Sequence, residues 1–222
     1  VAFANTPRAL YTAVRELVEN SLDACEDGGF LPTVKVTLTE AAPNWHKLRV
    51  EGDGIGVARD HILPAFGQIL YGSKYVHKQA RGRFGLGGKM AFLFGQISTS
   101  EPLRVISAPV GGDTIFDVLM RQDIQENKPE LLKWERTKNK TGIHGCTLEF
   151  TLEGNWTQAR RFILDYIEQT ALVTPYAYLI FTEPDGTVHA YKRTVEELPP
   201  TPTPVNPHPK GMDIEQLDRI VQ

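Results

Sequence analysis

Seven short strand-like segments, joined mostly by brief connections, constrain the fold of this chain more than any other feature of its sequence. The first two are TVKVTLT (33–39) and KLRVE (47–51), and the others are LRVISAP, TIFDVLM, CTLEFTL, AYLIFTE and VHAYKR. Alternation of apolar and polar residues predicts half-buried strands, and short connections between them predict hairpins. We therefore expect a mixed β-sheet with one face buried.

Helical segments are predicted to cover the buried face. Residues 5–26 begin with Asn5 or Thr6 as an N-cap and with Pro7 in the first turn. Helical spacing then places four residues on the core-facing stripe: Leu10, Val14, Leu17 and Ser21. Further helices are expected at 60–70, 89–97 and 156–173. This arrangement predicts the α+β class, a two-layer sandwich with helices on one face of a mixed sheet.

Composition and charge exclude several functional classes. The net charge is −3, so nothing global indicates nucleic acid or a membrane surface as the main partner. No apolar run approaches the roughly 18 residues that a membrane span needs. Cys25 and Cys146 are the two cysteines and form no CxxC or His/Cys cluster. This argues against a structural zinc site or a disulfide scaffold and favours a reducing compartment.

A polar face on the first predicted helix is the first candidate for chemistry. Glu16, Asn20 and Asp23 are spaced i, i+4, i+7, away from the apolar stripe, and Ala9 and Ala13 beside them would leave room for a large ligand. A carboxylate can act as a general base, and an amide oxygen can hold Mg²⁺. The alternative is a solvated polar face without chemistry.

The turn EGDGIG (51–56) after the second predicted strand is the second candidate. Gly54 and Gly56 allow the backbone to turn sharply and a ligand to approach it closely. Asp53 is then free to contact a base edge or a metal. An Asp-Gly turn that merely ends a strand explains the same residues.

The segment RGRFGLGGKM (81–90) places four glycines directly before a predicted helix. Free N–H groups and the positive end of the helix dipole suit a phosphate chain. Lys89 in the first turn, together with nearby Arg81, Arg83, Lys74 and Lys78, adds positive charge. The spacing fits G-x-x-G-x-G rather than the P-loop or Rossmann patterns, and a flexible surface turn is the alternative.

The order of these three features within ninety residues resembles the GHKL ATPases, which include gyrase-type topoisomerases, heat-shock chaperones, histidine kinases and mismatch-repair ATPases. The closer resemblance, nearly end to end, is to the B subunits of type VI DNA topoisomerases. Its segments are PRALYTAVRELVENSLDAC, AFGQILYGSKYVHKQARGRFGLGGKMAFLFGQ, TGIHG, TPYAYLIFTEPDG and PHPKGMD. The resemblance implies a GHKL-type sandwich.

The same resemblance implies a role for each matching residue. Glu16 is implied to be the general base that activates water, and Asn20 to coordinate Mg²⁺ bound to ATP, with Asp23 supporting both. The glycine segment is implied to cover the triphosphate through its N–H groups and Lys89. Nucleotide contacts are implied for Ser73, Lys74, Gly82, Arg83, Phe84, Gly85, Leu86, Gly87, Gly88 and Lys89.

Two positions depart from the family pattern, and both fall on base recognition. Gly52 stands where the family has the aspartate that accepts a hydrogen bond from the adenine amino group, and Asp53 follows it. A one-residue shift turns a side chain to the opposite face, so Asp53 regains this contact only if the turn is re-formed. Cys146 stands where the family has threonine. We expect either ATP binding weakened about 10- to 100-fold or a relaxed preference for the base, and Gly52→Asp should tighten ATP binding.

The domain organisation follows from the resemblance and from proline content. Residues 1–197 are expected to form the GHKL ATPase domain. Residues 198–210 contain six of the fifteen prolines and are predicted to be a semi-rigid linker. Residues 211–222 are expected to begin a truncated helix-two-turn-helix domain.

The function implied is that of the ATPase part of a type IIB topoisomerase, in which ATP drives homodimerisation and strand passage through double-stranded DNA cut by a separate A subunit. The resemblance also implies a cytoplasmic, DNA-associated protein without a membrane partner. The family's transducer lysine lies outside this chain, so slow hydrolysis is expected of the chain alone. The alternatives are a degenerate GHKL scaffold for a DNA-cleaving partner and another GHKL branch, such as a chaperone or kinase.

Overall fold

The computed structural model describes residues 6–68 and 87–200 of the 222-residue chain, and one β-sheet runs through this part. Its helices are α1 (Thr6–Gly28), α2 (Arg59–Gly67), α3 (Gly87–Thr99) and α4 (Trp156–Val173). Its strands are β1 (Thr33–Ala42), β2 (Trp45–Gly52), β3 (Leu103–Ala108), β4 (Thr114–Asp123), β5 (Lys128–Lys138), β6 (Gly145–Glu153), β7 (Tyr178–Thr182) and β8 (Val188–Tyr191).

The strand order is β5-β4-β3-β6-β2-β1-β7-β8. Four pairs of consecutive strands are antiparallel hairpins: β1–β2, β3–β4, β4–β5 and β7–β8. β1 and β7 run parallel, so the sheet is mixed, as predicted. β6 pairs with both β2 and β3 and therefore brings the end of β2 into the middle of the sheet.

The core lies between the helices and one face of this sheet. Leu10, Val14 and Leu17 of α1 are fully buried, which confirms the predicted stripe, whereas Ser21 is half-buried. Alternate strand residues supply the other side of the core: Val34, Val36, Leu38, Leu48, Val50, Val105, Val118, Leu148, Phe150 and Leu152. Full burial of each such side chain contributes about 1.5–3 kcal/mol.

Most predicted elements are present, with changed ends. The α4 bounds match the prediction residue for residue, while α1 continues to Gly28 and stops where Gly29 adopts a φ of 73°. α3 starts at Gly87, so two glycines predicted for the loop lie in the first turn of the helix. The helical layer and mixed sheet confirm the α+β sandwich.

The strand β5 is not predicted from the sequence pattern. It lies at one edge of the sheet that the structure describes, pairs there with β4 and exposes most of its side chains, many of them charged. An exposed edge strand needs no alternation of apolar residues, and its charges protect the open edge from pairing with another chain.

Two further expectations concern the C-terminal domain boundaries and membrane-spanning helices. Residues 201–222, which hold most of the predicted linker and all of the predicted truncated domain, lie outside the described residues, so these boundaries stay predictions. Within 6–68 and 87–200, no helix is long and apolar enough to cross a membrane.

Candidate functional site

The polar face of α1 meets the first turn of α3. Glu16 and Asn20 are both half-buried there. A Cβ at residue 87 would overlap the Glu16 carboxylate, and a Cβ at residue 88 would lie 3.0 Å from Asn20 Nδ2. Glycine at both positions is therefore what lets the helix start come this close. The structure brings together Glu16, Asn20, Gly87 and Gly88, as the sequence predicted, and their roles stay predictions.

The Glu16 carboxylate lies between two groups of positive charge. Its Oε1 accepts a hydrogen bond of 2.8 Å from Arg15 Nη2. Its Oε2 faces Gly87, at the start of α3, where the helix dipole is positive. Only 17% of the Glu16 side chain is exposed. Arg15 is a neighbour that the sequence analysis missed, since adjacent helical residues do not generally face each other.

Two further charged residues on these two helices are buried. Asp23 follows Asn20 by one turn on α1, and Lys89 lies in the first turn of α3; each is 6% exposed. Burial lowers the pKa of the Lys89 ammonium group. The contact of Lys89 with a phosphate group stays a prediction.

The expectation that Ala9 and Ala13 leave room for a ligand is wrong. Both are fully buried in the core between α1 and its neighbours, so they face packed side chains. Alanine at these positions serves close packing of α1.

Gly52 is in direct contact with α1. It ends β2, between Val34 of β1 and Cys146 of β6, and a Cβ at this position would lie 3.0 Å from Ser21 Cβ and 3.2 Å from Ser21 Oγ. The Ser21 hydroxyl donates to the Leu17 carbonyl and is thereby held over the strand end. Glycine at residue 52 therefore fits a close approach of helix and strand that the sequence does not reveal.

Asp53 binds the protein's own backbone. Its Oδ1 accepts hydrogen bonds from Thr33 N at 2.7 Å and from Cys25 Sγ at 3.3 Å. Burial, together with the Asp53 charge, raises the pKa of the Cys25 thiol, which therefore stays protonated as the donor. These bonds tie the turn to the start of β1 and favour a structural role, so contact with a base or metal stays a prediction.

The other glycines of this turn also permit close contacts. A Cβ at Gly54 would lie 2.8 Å from the Ala24 carbonyl carbon, and Gly56 has a φ of 68° and lies against the Ala108 carbonyl. His144 Nδ1 lies 2.9 Å from the Gly54 oxygen and, since a carbonyl only accepts, acts as the donor. The turn is thus enclosed by protein on several sides.

Cys146 lies opposite both Gly52 and Ser107 in the sheet. Burial raises the pKa of its thiol to about 12, so it is an uncharged side chain with a weak donor. Because Cys146 pairs with Gly52, the two residues that depart from the family pattern are neighbours in the sheet.

Seven of the candidate nucleotide-contacting residues lie outside the described residues: Ser73, Lys74, Gly82, Arg83, Phe84, Gly85 and Leu86. Within the described ranges, no three His, Cys, Asp or Glu side chains gather to hold a metal ion. An amide oxygen is a type of ligand that Mg²⁺ accepts, and the role of Asn20 in holding this ion stays a prediction.

Chemically, the arrangement offers a carboxylate and an amide on one helix opposite the positive start of another. Such a set can bind an anion at the helix start and take a proton from water beside it. The Glu16 carboxylate lies directly against Gly87, so a phosphate bound at this helix start would have to part the two residues.

Comparison with known proteins agrees with this geometry. Residues 8–147 match the family described as histidine kinase-, DNA gyrase B- and HSP90-like ATPases. The chain is 39% identical, over 99% of its length, to the B subunit of type 2 DNA topoisomerase 6 from Saccharolobus solfataricus, and equally to that from Saccharolobus shibatae. It covers 42% of the length of each of these relatives.

Solved structures share the fold at low sequence identity. The Aquifex aeolicus MutL ATPase domain complexed with ADP superposes with a TM-score of 0.54 at 17% identity, covering 83% of this chain and 64% of that one. The ATPase and transducer domains of Balamuthia mandrillaris DNA topoisomerase II give 0.59 at 16% identity, covering 81% and 48%. These likenesses confirm the GHKL ATPase fold.

Proposed function

We propose that this chain, which belongs to the histidine kinase-, DNA gyrase B- and HSP90-like ATPase family, binds and hydrolyses ATP as the ATPase part of the B subunit in a type IIB DNA topoisomerase. Its similarity to the B subunits of topoisomerase 6 extends over 99% of the chain but over only 42% of theirs. Strand passage therefore belongs, in this proposal, to the longer protein.

The observation that carries the proposal is the contact of Glu16 and Asn20 with the start of α3. A base, a metal-binding amide and an anion-binding helix start are the three parts that hydrolysis of a phosphoanhydride needs. They come from two helices that pack against each other on the same face of the sheet.

In the proposed reaction Glu16 accepts a proton from the water that attacks the terminal phosphate. General base catalysis is worth about 10²–10⁴-fold and requires the carboxylate within hydrogen-bond reach of the water. The N–H groups at Gly87 and Gly88 and the Lys89 ammonium would bind the phosphate oxygens. Asn20 would hold Mg²⁺, which neutralises phosphate charge when it is bound.

Nucleotide entry would separate Glu16 from Gly87. In the structure the carboxylate lies against the helix start that a phosphate group would use. We propose that the phosphate takes the place of Oε2 at the helix start while Arg15 keeps its hydrogen bond to Oε1, which leaves Oε2 free to accept a proton beside the phosphate.

In the longer protein, ATP binding would drive homodimerisation, and a separate A subunit would cut double-stranded DNA. This chain would then act on DNA topology from the cytoplasm without itself forming the main DNA contact. Its net charge of −3 is consistent with that division.

The test is a titration of the purified chain with fluorescent ATP in the presence and absence of Mg²⁺. Saturable binding that depends on Mg²⁺ is expected, and Asn20→Ala should remove the dependence on Mg²⁺. Gln169→Ala, an exposed amide on α4, is the matched control and should bind like the wild type.

A second candidate is a nucleotide-insensitive scaffold that supports a DNA-cleaving partner. The specific observation in its favour is that Gly52 offers no carboxylate, while the Asp53 carboxylate is bound by Thr33 and Cys25. Absence of saturable binding up to millimolar nucleotide would favour the scaffold and count against the ATPase.

A further inference from the structure

We infer that Arg15 is a positioning residue for the Glu16 carboxylate, an inference that rests on the proposed role of Glu16 as the general base. The Arg15 Nη2 atom donates a hydrogen bond of 2.8 Å to Glu16 Oε1. This leaves Oε2 as the oxygen that faces Gly87 and the start of α3. The guanidinium thus holds the carboxylate in an orientation in which one oxygen points towards the proposed phosphate position.

Arg15 is itself held from two sides. Its Nε lies 3.7 Å from Glu19 Oε1, one turn further along α1, which is an ion pair too long for a hydrogen bond. Its carbonyl oxygen accepts a hydrogen bond of 3.3 Å from Tyr166 of α4. The Tyr166 ring packs edge-on against Tyr11 at 5.9 Å. Side chain and backbone of Arg15 are therefore both restrained.

Arg15 keeps its positive charge at every physiological pH. Hydrogen bonding to Glu16 raises the pKa of the guanidinium, which is already protonated at all physiological pH values. The Arg15 side chain is 40% exposed and that of Glu16 is 17% exposed, so solvent screens this pair only in part. A fixed cation beside a half-buried carboxylate selects one of its rotamers.

Orientation matters more than affinity for a residue in this position. A displacement of the base by about 1 Å lowers the rate of hydrolysis on the order of 10²-fold. It leaves unchanged the groups that bind the nucleotide. Removing Arg15 should therefore lower kcat about 10- to 100-fold and leave the dissociation constant for nucleotide unchanged.

The experiment measures kcat, KM and nucleotide affinity in the natural full-length protein assembled with its partner. Arg15→Gln removes the cation, and Arg15→Lys keeps the charge without the planar fork. Arg8→Gln is the control, because Arg8 lies seven residues earlier on α1 and is exposed. We expect a reduced kcat with unchanged affinity for Arg15→Gln, partial recovery for Arg15→Lys and wild-type values for Arg8→Gln.

An unchanged kcat in Arg15→Gln would overturn the inference, and so would a parallel loss of kcat and affinity without recovery in Arg15→Lys. If Arg15→Gln fails to fold, Arg15→Lys is the deciding variant. A wild-type kcat in Arg15→Lys would show that the planar guanidinium does not position the Glu16 carboxylate. A different result would overturn the proposed function: a wild-type protein that does not hydrolyse ATP, or a Glu16→Gln variant that still does.

Discussion

The end of β2 lies against α1 at one pair of residues: a Cβ on Gly52 would come within 3.0 Å of Ser21 Cβ. That separation is tighter than most real contacts between such atoms, so a side chain at residue 52 requires Ser21 to give way by a few tenths of an ångström. The position at which the family resemblance implies an adenine-binding aspartate is therefore sterically tight in this chain.

The first prediction concerns restoration of that aspartate. Gly52→Asp combined with Ser21→Gly should tighten ATP binding about 10- to 100-fold, because a charge-assisted hydrogen bond is gained. Gly52→Asp alone should gain less, because Ser21 blocks the new side chain. Titration of both variants and of Ser21→Gly alone measures the coupling. Equal affinities for Gly52→Asp and the double variant would show that Ser21 imposes no restriction.

The second prediction separates the two roles open to Asp53. Asp53→Ala leaves the Thr33 N–H and Cys25 thiol without their acceptor, so it should lower the free energy of unfolding by about 1–3 kcal/mol. ATP affinity should stay within about threefold of the wild type, because the carboxylate is already held by Thr33 and Cys25. Asp113→Ala is the control, since that carboxylate accepts an exposed hydrogen bond from Thr114. Lost ATP binding at wild-type stability would make Asp53 a base-binding residue instead.

A third prediction addresses Lys89. Lys89→Met should weaken ATP binding by about tenfold or more, because a charge-assisted hydrogen bond to phosphate is lost. Lys35→Met, on the exposed face of β1, is the matched control and should bind normally. Calorimetric titration with ATP checks both, and equal affinities for the two variants would remove Lys89 from the proposed phosphate site.

The sequence predicted the parts of this site that depend on local geometry. Helical spacing placed Glu16 and Asn20 on one face, and the apolar stripe of Leu10, Val14 and Leu17 faces the core as expected. These features follow from the 3.6-residue repeat, which any helix imposes on its side chains.

The sequence did not predict features that depend on how distant segments meet. The Gly52–Ser21 contact joins residues 31 positions apart, and the direction of the Asp53 carboxylate depends on how the turn meets β1. The edge strand β5 was missed because exposure removes the alternation on which strand prediction relies. Contacts between distant segments decided the first two features, and exposure at the sheet edge decided the third.

A fourth prediction concerns pH and lies away from the site. Glu183, whose side chain is 1% exposed, accepts hydrogen bonds from Arg160 Nε at 2.6 Å and from His189 Nε2 at 2.6 Å. The bond from Arg160, followed by that from His189, lowers the pKa of the Glu183 carboxyl group in the folded state. The folded chain therefore binds fewer protons than the unfolded chain near the ordinary glutamate pKa of about 4.3.

This stabilisation is present above about pH 4.3 and is lost as pH falls through the lower folded-state pKa. Glu183→Gln should lower the melting temperature by about 2–4 °C at neutral pH, a modest value because Arg160 is half exposed. The difference from the wild type should shrink as the solution is acidified. Glu196→Gln, at an exposed position, should follow the wild type at every pH. A difference independent of pH would contradict the role of this ion pair.

The most direct test of the central claim compares Glu16→Gln with the wild type in the full-length protein, by measuring nucleotide affinity and steady-state hydrolysis together. We predict nucleotide affinity within about threefold of the wild type and turnover reduced by about 10²–10⁴-fold, because the variant lacks a base but keeps the rest of the site. Glu168→Gln, on the exposed face of α4, should hydrolyse ATP normally. Retained turnover in Glu16→Gln would contradict the account, because water would then be activated by another group.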